Sequence, residues 1–185
     1  MSLIRQIWLL LLGALLLAFA GSVLVNVNAA RDTLQTQLRL KNNDNATSLA
    51  LVLSQQKGDM PSIELLISAQ FDTGFYQRIR LMAADGRLAF ERSGPIVPLE
   101  VPTWFVDLFP VVSIPGVAQV SDGWRALGSV GVVSQAAYAH TELWRASLRS
   151  AAALGVVGLL AGLVGSLVVG RIRRVLERTV EQAHS

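Results

Sequence analysis

IWLLLLGALLLAFAGSVLV, residues 7–25, and SAAALGVVGLLAGLVGSLVV, residues 150–169, are two uncharged apolar runs, and the polar sequence lies between them. They contain 19 and 20 residues, and the second is framed by Arg149 and Arg171. At about 1.5 Å of rise per helical residue, each reaches roughly 30 Å, the thickness of a bilayer's hydrocarbon core. The chain therefore reads as two membrane helices holding a middle segment on one side of a lipid bilayer. The expected divisions are a tip at 1–6, transmembrane helix 1 at 7–27, an outer domain at 28–149, transmembrane helix 2 at 150–170, and a juxtamembrane segment at 171–185. That layout belongs to receptors and sensors more often than to enzymes.

Composition agrees. A chain of 185 residues that is 52% hydrophobic, with mean hydropathy +0.47, is too apolar for an ordinary soluble domain. Without the two runs, the middle has the size of a small domain with a marginal core. Charge location says more than the net value of +3. Residues 28–149 carry 11 Lys and Arg against 11 Asp and Glu, so the outer domain is neutral. The excess sits at the tips, in Arg5 and in Arg171, Arg173, Arg174 and Arg178. A neutral domain gives no basic face for nucleic acid. Positive charge beside the two runs places both termini in the cytoplasm and the domain outside.

A signal-peptide reading competes for the first run, because Ala18-Phe19-Ala20 before Gly21 resembles a cleavage site. The apolar stretch continues through Val23-Leu24-Val25, longer than a usual signal core, so a retained helix is expected. There are no cysteines, which excludes a disulfide framework and thiolate chemistry.

In the outer segment, Ala30, Leu34, Leu38, Ala46, Leu49, Ala50, Val52 and Leu53 recur at broadly helical spacing. They predict a stalk helix over 29–56, broken near Asn42-Asn43-Asp44-Asn45. Asn45-Ala46-Thr47 matches a glycosylation sequon, a triplet frequent by chance. Pro61 suits the first turn of a short helix at 61–70. Alternation over Tyr76–Met82, the Ala84-Asp85-Gly86 turn and the return over Arg87–Arg92 predict a β-hairpin. A short apolar helix follows at 102–109, ended by Pro110. A second hairpin, 116–121 with 125–134, turns around Asp122-Gly123-Trp124, and a helix from about Ala136 runs into the second apolar run. The expected class is α+β, a PAS-like domain with long stalk helices and two β-hairpins. It is short of strands for a five-stranded sheet, so edges are expected to be completed by pairing or exchange between chains.

Catalytic chemistry finds no foothold. His140, read as a helix-surface residue beside Trp144, and His184 lie far apart with no metal-ligand spacing. The carboxylates are scattered singly, and there is no Walker loop, GxGxxG or metalloprotease motif. No enzyme activity and no cofactor are expected. Two features carry a functional reading. Trp124, flanked by Asp122, Gly123 and Arg125, places a large aromatic on a turn, the residue type most enriched at interface hot spots. The bland alternative is an indole folded back as a cap over the sheet. Gly158, Gly162, Ser166 and Gly170 form a small-residue row that lets another helix approach closely. The alternative there is a Gly- and Ala-rich face toward lipid, since Gly155 and Gly165 lie off the row.

Leu49-Ala50-Leu51-Val52-Leu53-Ser54, Phe71-Asp72-Thr73-Gly74-Phe75-Tyr76, Val101-Pro102-Thr103-Trp104-Phe105, Ser121-Asp122-Gly123-Trp124 and Leu143-Trp144 occur in this order between the two runs. The ordered set resembles the LapD/MoxY N-terminal periplasmic domain family. The resemblance implies a bacterial inner-membrane protein with a PAS-like periplasmic domain that forms a homodimer. It implies a second membrane helix leading to a HAMP relay and cytoplasmic GGDEF/EAL or kinase modules. In the LapD branch, cytoplasmic cyclic-di-GMP makes the periplasmic dimer capture a LapG-type cysteine protease, which favours biofilm. The hairpin tryptophan contacts the protease, a role that falls on Trp124 here. Other branches serve as ligand-sensing inputs, the alternative reading for this chain. Two departures stand out. Residues 171–185 look like the start of a HAMP-like linker, yet Val175 occupies the place of the expected proline. No GGDEF, EAL or kinase module lies within these residues, so cyclic-di-GMP binding falls on no residue here. Such modules are expected downstream or on another polypeptide.

Overall fold

The computed structural model describes residues 3–182 except Ile96 and Leu99. Two units are distinguished: Val27–Arg145, and the flanking segments up to Asn26 and from Ala146. The element order is α1 (Leu3–Ser54), α2 (Met60–Phe71), β1 (Tyr76–Ala83), β2 (Leu88–Ser93), α3 (Thr103–Leu108), β3 (Gly116–Asp122), β4 (Arg125–Ser134) and α4 (Ala137–Gln182).

Helices α1 and α4 each contain a segment long and apolar enough to cross a membrane. In the flanking unit, Leu10, Leu17, Leu159 and Leu167 are each more than two-thirds exposed. The core helix of a soluble protein would cover such side chains, so lipid is their natural solvent. α1 runs without interruption through Ala18-Phe19-Ala20.

The strands form one antiparallel sheet in the order β2-β1-β4-β3. The two central strands pair with Ile79 opposite Val132 and Leu81 opposite Val130. Period-two spacing sends these four side chains to one face, where α1 and α2 cover them. α1 contributes Ala46, Leu49, Ala50 and Leu53, an i, i+3, i+4, i+7 stripe, and α2 contributes Ile63 and Ile67. Leu53, Ile67, Ile79 and Val130 are wholly buried. At about 2 kcal/mol per large aliphatic side chain, this cluster is the main stabilising term of the central unit.

The expected break at 42–45 does not occur. α1 continues to Ser54 because Asn42 is fully buried, with its amide engaged by other parts of the domain rather than by a local turn. Thr47 donates to the Asn43 carbonyl, a bond compatible with an intact helix. Ala46, the middle of the sequon, is wholly buried.

A second cluster joins α3 to the start of α4. Val101, Phe105, Phe109 and Val111 are buried, as are Ala139 and Leu143. Phe105 packs on Phe109 with ring centres 5.2 Å apart and on Trp144 at 4.9 Å, and Trp104 meets Trp144 edge-on at 5.8 Å. Two motifs some forty residues apart in sequence thus become one aromatic wall. His140 also belongs here, which overturns its reading as a surface residue. It is buried, its Nε2 accepts the Val111 N–H at 3.2 Å, and its Nδ1 faces the Ala136 carbonyl at 3.0 Å. With both ring nitrogens occupied, His140 ties α4 to the segment after α3.

Candidate functional site: the β3–β4 turn and a groove beside β4

β3 and β4 pair from Gly116 opposite Val132 to Asp122 opposite Arg125, leaving Gly123 and Trp124 as the turn. Gly123 has φ +61°, the left-handed conformation that a two-residue turn requires and that glycine adopts without penalty. The pairing shifts register between Val120 and Ser121, a bulge that adds twist near the tip.

Trp124 is 105% exposed. The capping alternative is therefore excluded, since no part of the indole is covered by the sheet. Trp104, also exposed, stands edge-to-face with Trp144, whereas Trp124 presents all of its roughly 200 Å² to solvent. Asp122, Gly123 and Arg125 are exposed around it, and neither charged side chain forms an ion pair among the described residues. The four residues thus form one patch, an aromatic surface between a carboxylate and a guanidinium.

The base of this strand pair is fixed to α1. Asn42 Nδ2 donates to the Ile114 carbonyl at 2.7 Å and to Ser113 Oγ at 3.1 Å, just before β3. Its Oδ1 accepts the Ser134 N–H at 3.0 Å, at the end of β4. Nearer the tip, Ser54 Oγ accepts the Ser121 N–H at 3.0 Å and donates to the Ala50 carbonyl. A β-carbon on Gly116 would lie 2.1 Å from the Asn42 carbonyl carbon, so only glycine lets β3 come this close to the helix. Strand and helix are held together by close backbone approach, by one buried amide and by the Ser54 hydroxyl.

A groove of about 560 Å³ opens beside Ser134, the residue whose N–H that amide holds. Leu34, Leu38 and Lys41 of α1 line it with Phe75, Ser134 and Tyr138. Phe75 and Tyr138 are exposed, and the Lys41 ammonium stands 5.6 Å from the centre of the Phe75 ring. Sequence reasoning missed this groove and missed Asn42. The signal for Asn42 was present, since position 42 precedes Ala46, Leu49 and Leu53 on the same helical face.

In α4, an added β-carbon at Gly158 or Gly162 would meet nothing within 4 Å. Ser166 donates back to the Leu163 carbonyl at 2.8 Å. Gly158 and Gly162 are therefore uncovered among the described residues. The surroundings of Gly170, the side chains of residues 172–182 and all of residues 183–185, including His184, lie outside what is described.

The LapD/MoxY periplasmic domain family matches residues 23–144, from the end of the first apolar run to Trp144. The chain belongs to this family. A solved structure of a Pseudomonas LapD periplasmic domain is 37% identical to it, covers 67% of this chain and 98% of its own, and superposes with a TM-score of 0.39. No curated protein matches the chain. LapD/MoxY membership makes the Val27–Arg145 unit a periplasmic domain of receptor type. With an apolar helix at each end, it is consistent with an inner-membrane protein.

Proposed function

We propose that this chain is the receptor module of an inner-membrane signalling protein, and that its periplasmic domain captures a partner protein through Trp124. The single observation that carries this reading is the fully exposed indole on a short turn whose strands are fastened to α1. A preorganised aromatic anchor loses little conformational freedom on binding, which is what makes such residues hot spots. Asp122 and Arg125 supply charge on either side for orientation, and Gly123 holds the turn. The partner of fitting kind is a LapG-type cysteine protease.

In this reading the domain is PAS-like and works as a homodimer. Both termini are cytoplasmic, residues 171–185 begin a HAMP-like linker, and cyclic-di-GMP modules outside this chain control the state. Gly158, Gly162, Ser166 and Gly170 would pair α4 with a second copy in the bilayer. Signal transfer follows from the attachments. A displacement of α1 acts on the base of the β3–β4 pair through Asn42, and a displacement of α4 acts on the Ala136–Tyr138 junction that follows β4. The two-residue turn lies about seven residues from that base, roughly 20 Å along the strand, so a small rotation at the base moves the tip appreciably. Such an element is suited to a two-state switch.

The test is capture of a LapG-type protease by the full chain in detergent micelles, wild type against Trp124→Glu. Capture is expected to weaken by about 30-fold or more, the loss of a hot spot of about 2 kcal/mol. Equal capture by both chains removes Trp124 from the interface. A second reading, a ligand-sensing input domain, is favoured by the groove beside Ser134.

A further inference from the structure

The groove's chemistry is more specific than its size. Its volume falls within the range of about 300–1,000 Å³ that suits small molecules. Lys41 is the one charged residue of its lining, and it has no carboxylate partner among the described residues. The wall contains a second, independent anomaly. Ser134 is 4% exposed, and its Oγ is buried without a hydrogen-bond partner in the protein. A buried hydroxyl left without a partner costs about 1–3 kcal/mol, so a partner of another kind is favoured there. Most of the remaining lining is apolar, with Leu34, Leu38, Phe75 and Tyr138 beside the neutral amides Gln37 and Gln135.

We infer that this groove binds a small amphipathic monoanion, an aromatic or alicyclic carboxylate, in an arrangement that rests on the ligand-sensing reading. The apolar body lies against Leu34, Leu38, Phe75 and Tyr138. The carboxylate pairs with the Lys41 ammonium in a charge-assisted hydrogen bond, and the Ser134 hydroxyl, covered in this structure, turns about χ1 to meet an oxygen of the ligand. A neutral hydrocarbon offers no acceptor to either polar group. A polyanion brings more charge than one lysine balances. Ser134 closes β4, and Ala137, Tyr138 and Ala139 open α4, so the ligand sits where the sheet passes into that helix. The Ser134 N–H is also the group held by Asn42, so occupancy bears on the clamp at the base of the β3–β4 pair.

The probe is 1-naphthylacetate, with neutral 1-naphthylacetamide as its near-isosteric control, added to the full chain in lipid nanodiscs and followed by saturation-transfer NMR. Saturable binding of the acetate is expected, with the amide about tenfold weaker, the loss of one charge-assisted contact. Lys41→Gln is expected to erase the preference for the acetate. Ser134→Ala is expected to weaken both probes severalfold, and Leu51→Gln, on the exposed face of α1, to change neither. Equal affinity for the two probes, or an unchanged preference in Lys41→Gln, overturns the proposed chemistry. Absence of saturable binding at millimolar probe overturns the ligand-sensing reading with it. A disulfide-linked dimer formed by Tyr138→Cys in membranes also overturns the proposal, because a second copy then covers the groove.

Discussion

Asn42 and Ser134 are joined by a buried hydrogen bond, the amide oxygen of a helix accepting the last N–H of a strand at 3.0 Å. The same amide donates to Ile114 and Ser113, so one side chain holds both strands at the base of the β3–β4 pair. Removing it leaves the buried Ser134 N–H without its acceptor and the part-buried Ile114 carbonyl without this donor. Asn42→Ala is expected to cost about 3 kcal/mol and to lower the unfolding midpoint by about 10 °C. Differential scanning fluorimetry of the full chain in detergent checks this, and a shift within 2–3 °C would show that the amide is dispensable.

Gly116→Ala is expected to be more damaging. Its β-carbon would meet the Asn42 carbonyl carbon at 2.1 Å, and the neighbour is helix backbone that has no rotamer to give. Loss of more than 3 kcal/mol, or failure to accumulate folded protein, is the expected outcome. Gly155→Ala in the apolar helix, where the added atom meets nothing within 4 Å, is the matched control and should leave expression unchanged.

His140→Ala is expected to cost about 2 kcal/mol, since the Val111 N–H loses its acceptor in a buried site. The accompanying readout is amide hydrogen exchange at Val111, which should accelerate by an order of magnitude or more. Exchange that stays slow would mean that the imidazole is not what protects this amide.

The Asp85 carboxyl is held below its usual value, first by the Arg87 side chain and then by the Arg87 backbone N–H. The group is depressed, so its contribution to stability is present above the unfolded-state value and is lost as pH falls through the folded-state value. Its solvent-exposed position in the turn keeps that contribution small. Side-chain NMR titration should give a midpoint below that of a free aspartate, and Arg87→Ala should raise it. Coincident midpoints would show that the turn pair does not persist in solution.

Orientation has a direct test. Alkaline phosphatase inserted in the exposed Asp85-Gly86 turn is expected to be active, and fused after the last residue to be inactive, because the enzyme matures only outside the cytoplasm. The opposite pattern would invert the reading drawn from Arg171, Arg173 and Arg174.

Element positions were largely legible because local chemistry marks them. Pro61 lies in the first turn of α2, the Asp85-Gly86 pair lies between β1 and β2, and Gly123-Trp124 lies between β3 and β4. What was not legible depends on partners distant in sequence. A run of four polar residues at 42–45 resembles a helix break unless one knows that Ile114 and Ser134 wait for the first of them. His140 likewise reads as a surface residue until Val111 is brought to it. The groove escaped notice for the same reason, since Lys41, Phe75 and Tyr138 share no local pattern. Trp124 was legible as a candidate, but its exposure depends on how the turn projects from the sheet.

The Asn42 clamp also sets a clock for biogenesis. Asn42 and its farthest partner, Ser134, are 92 residues apart in sequence, so the amide is synthesised long before Ser134 is made. At about 5–20 residues per second, the helix waits roughly 5–20 s for the strand that completes it. During that interval, the apolar stripe of Ala46, Leu49 and Leu53 has no sheet to cover it. A newly exported chain therefore passes through a stage in which its stalk is sticky and its polar clamp is unfilled, the stage at which periplasmic chaperones or a second nascent copy have most access.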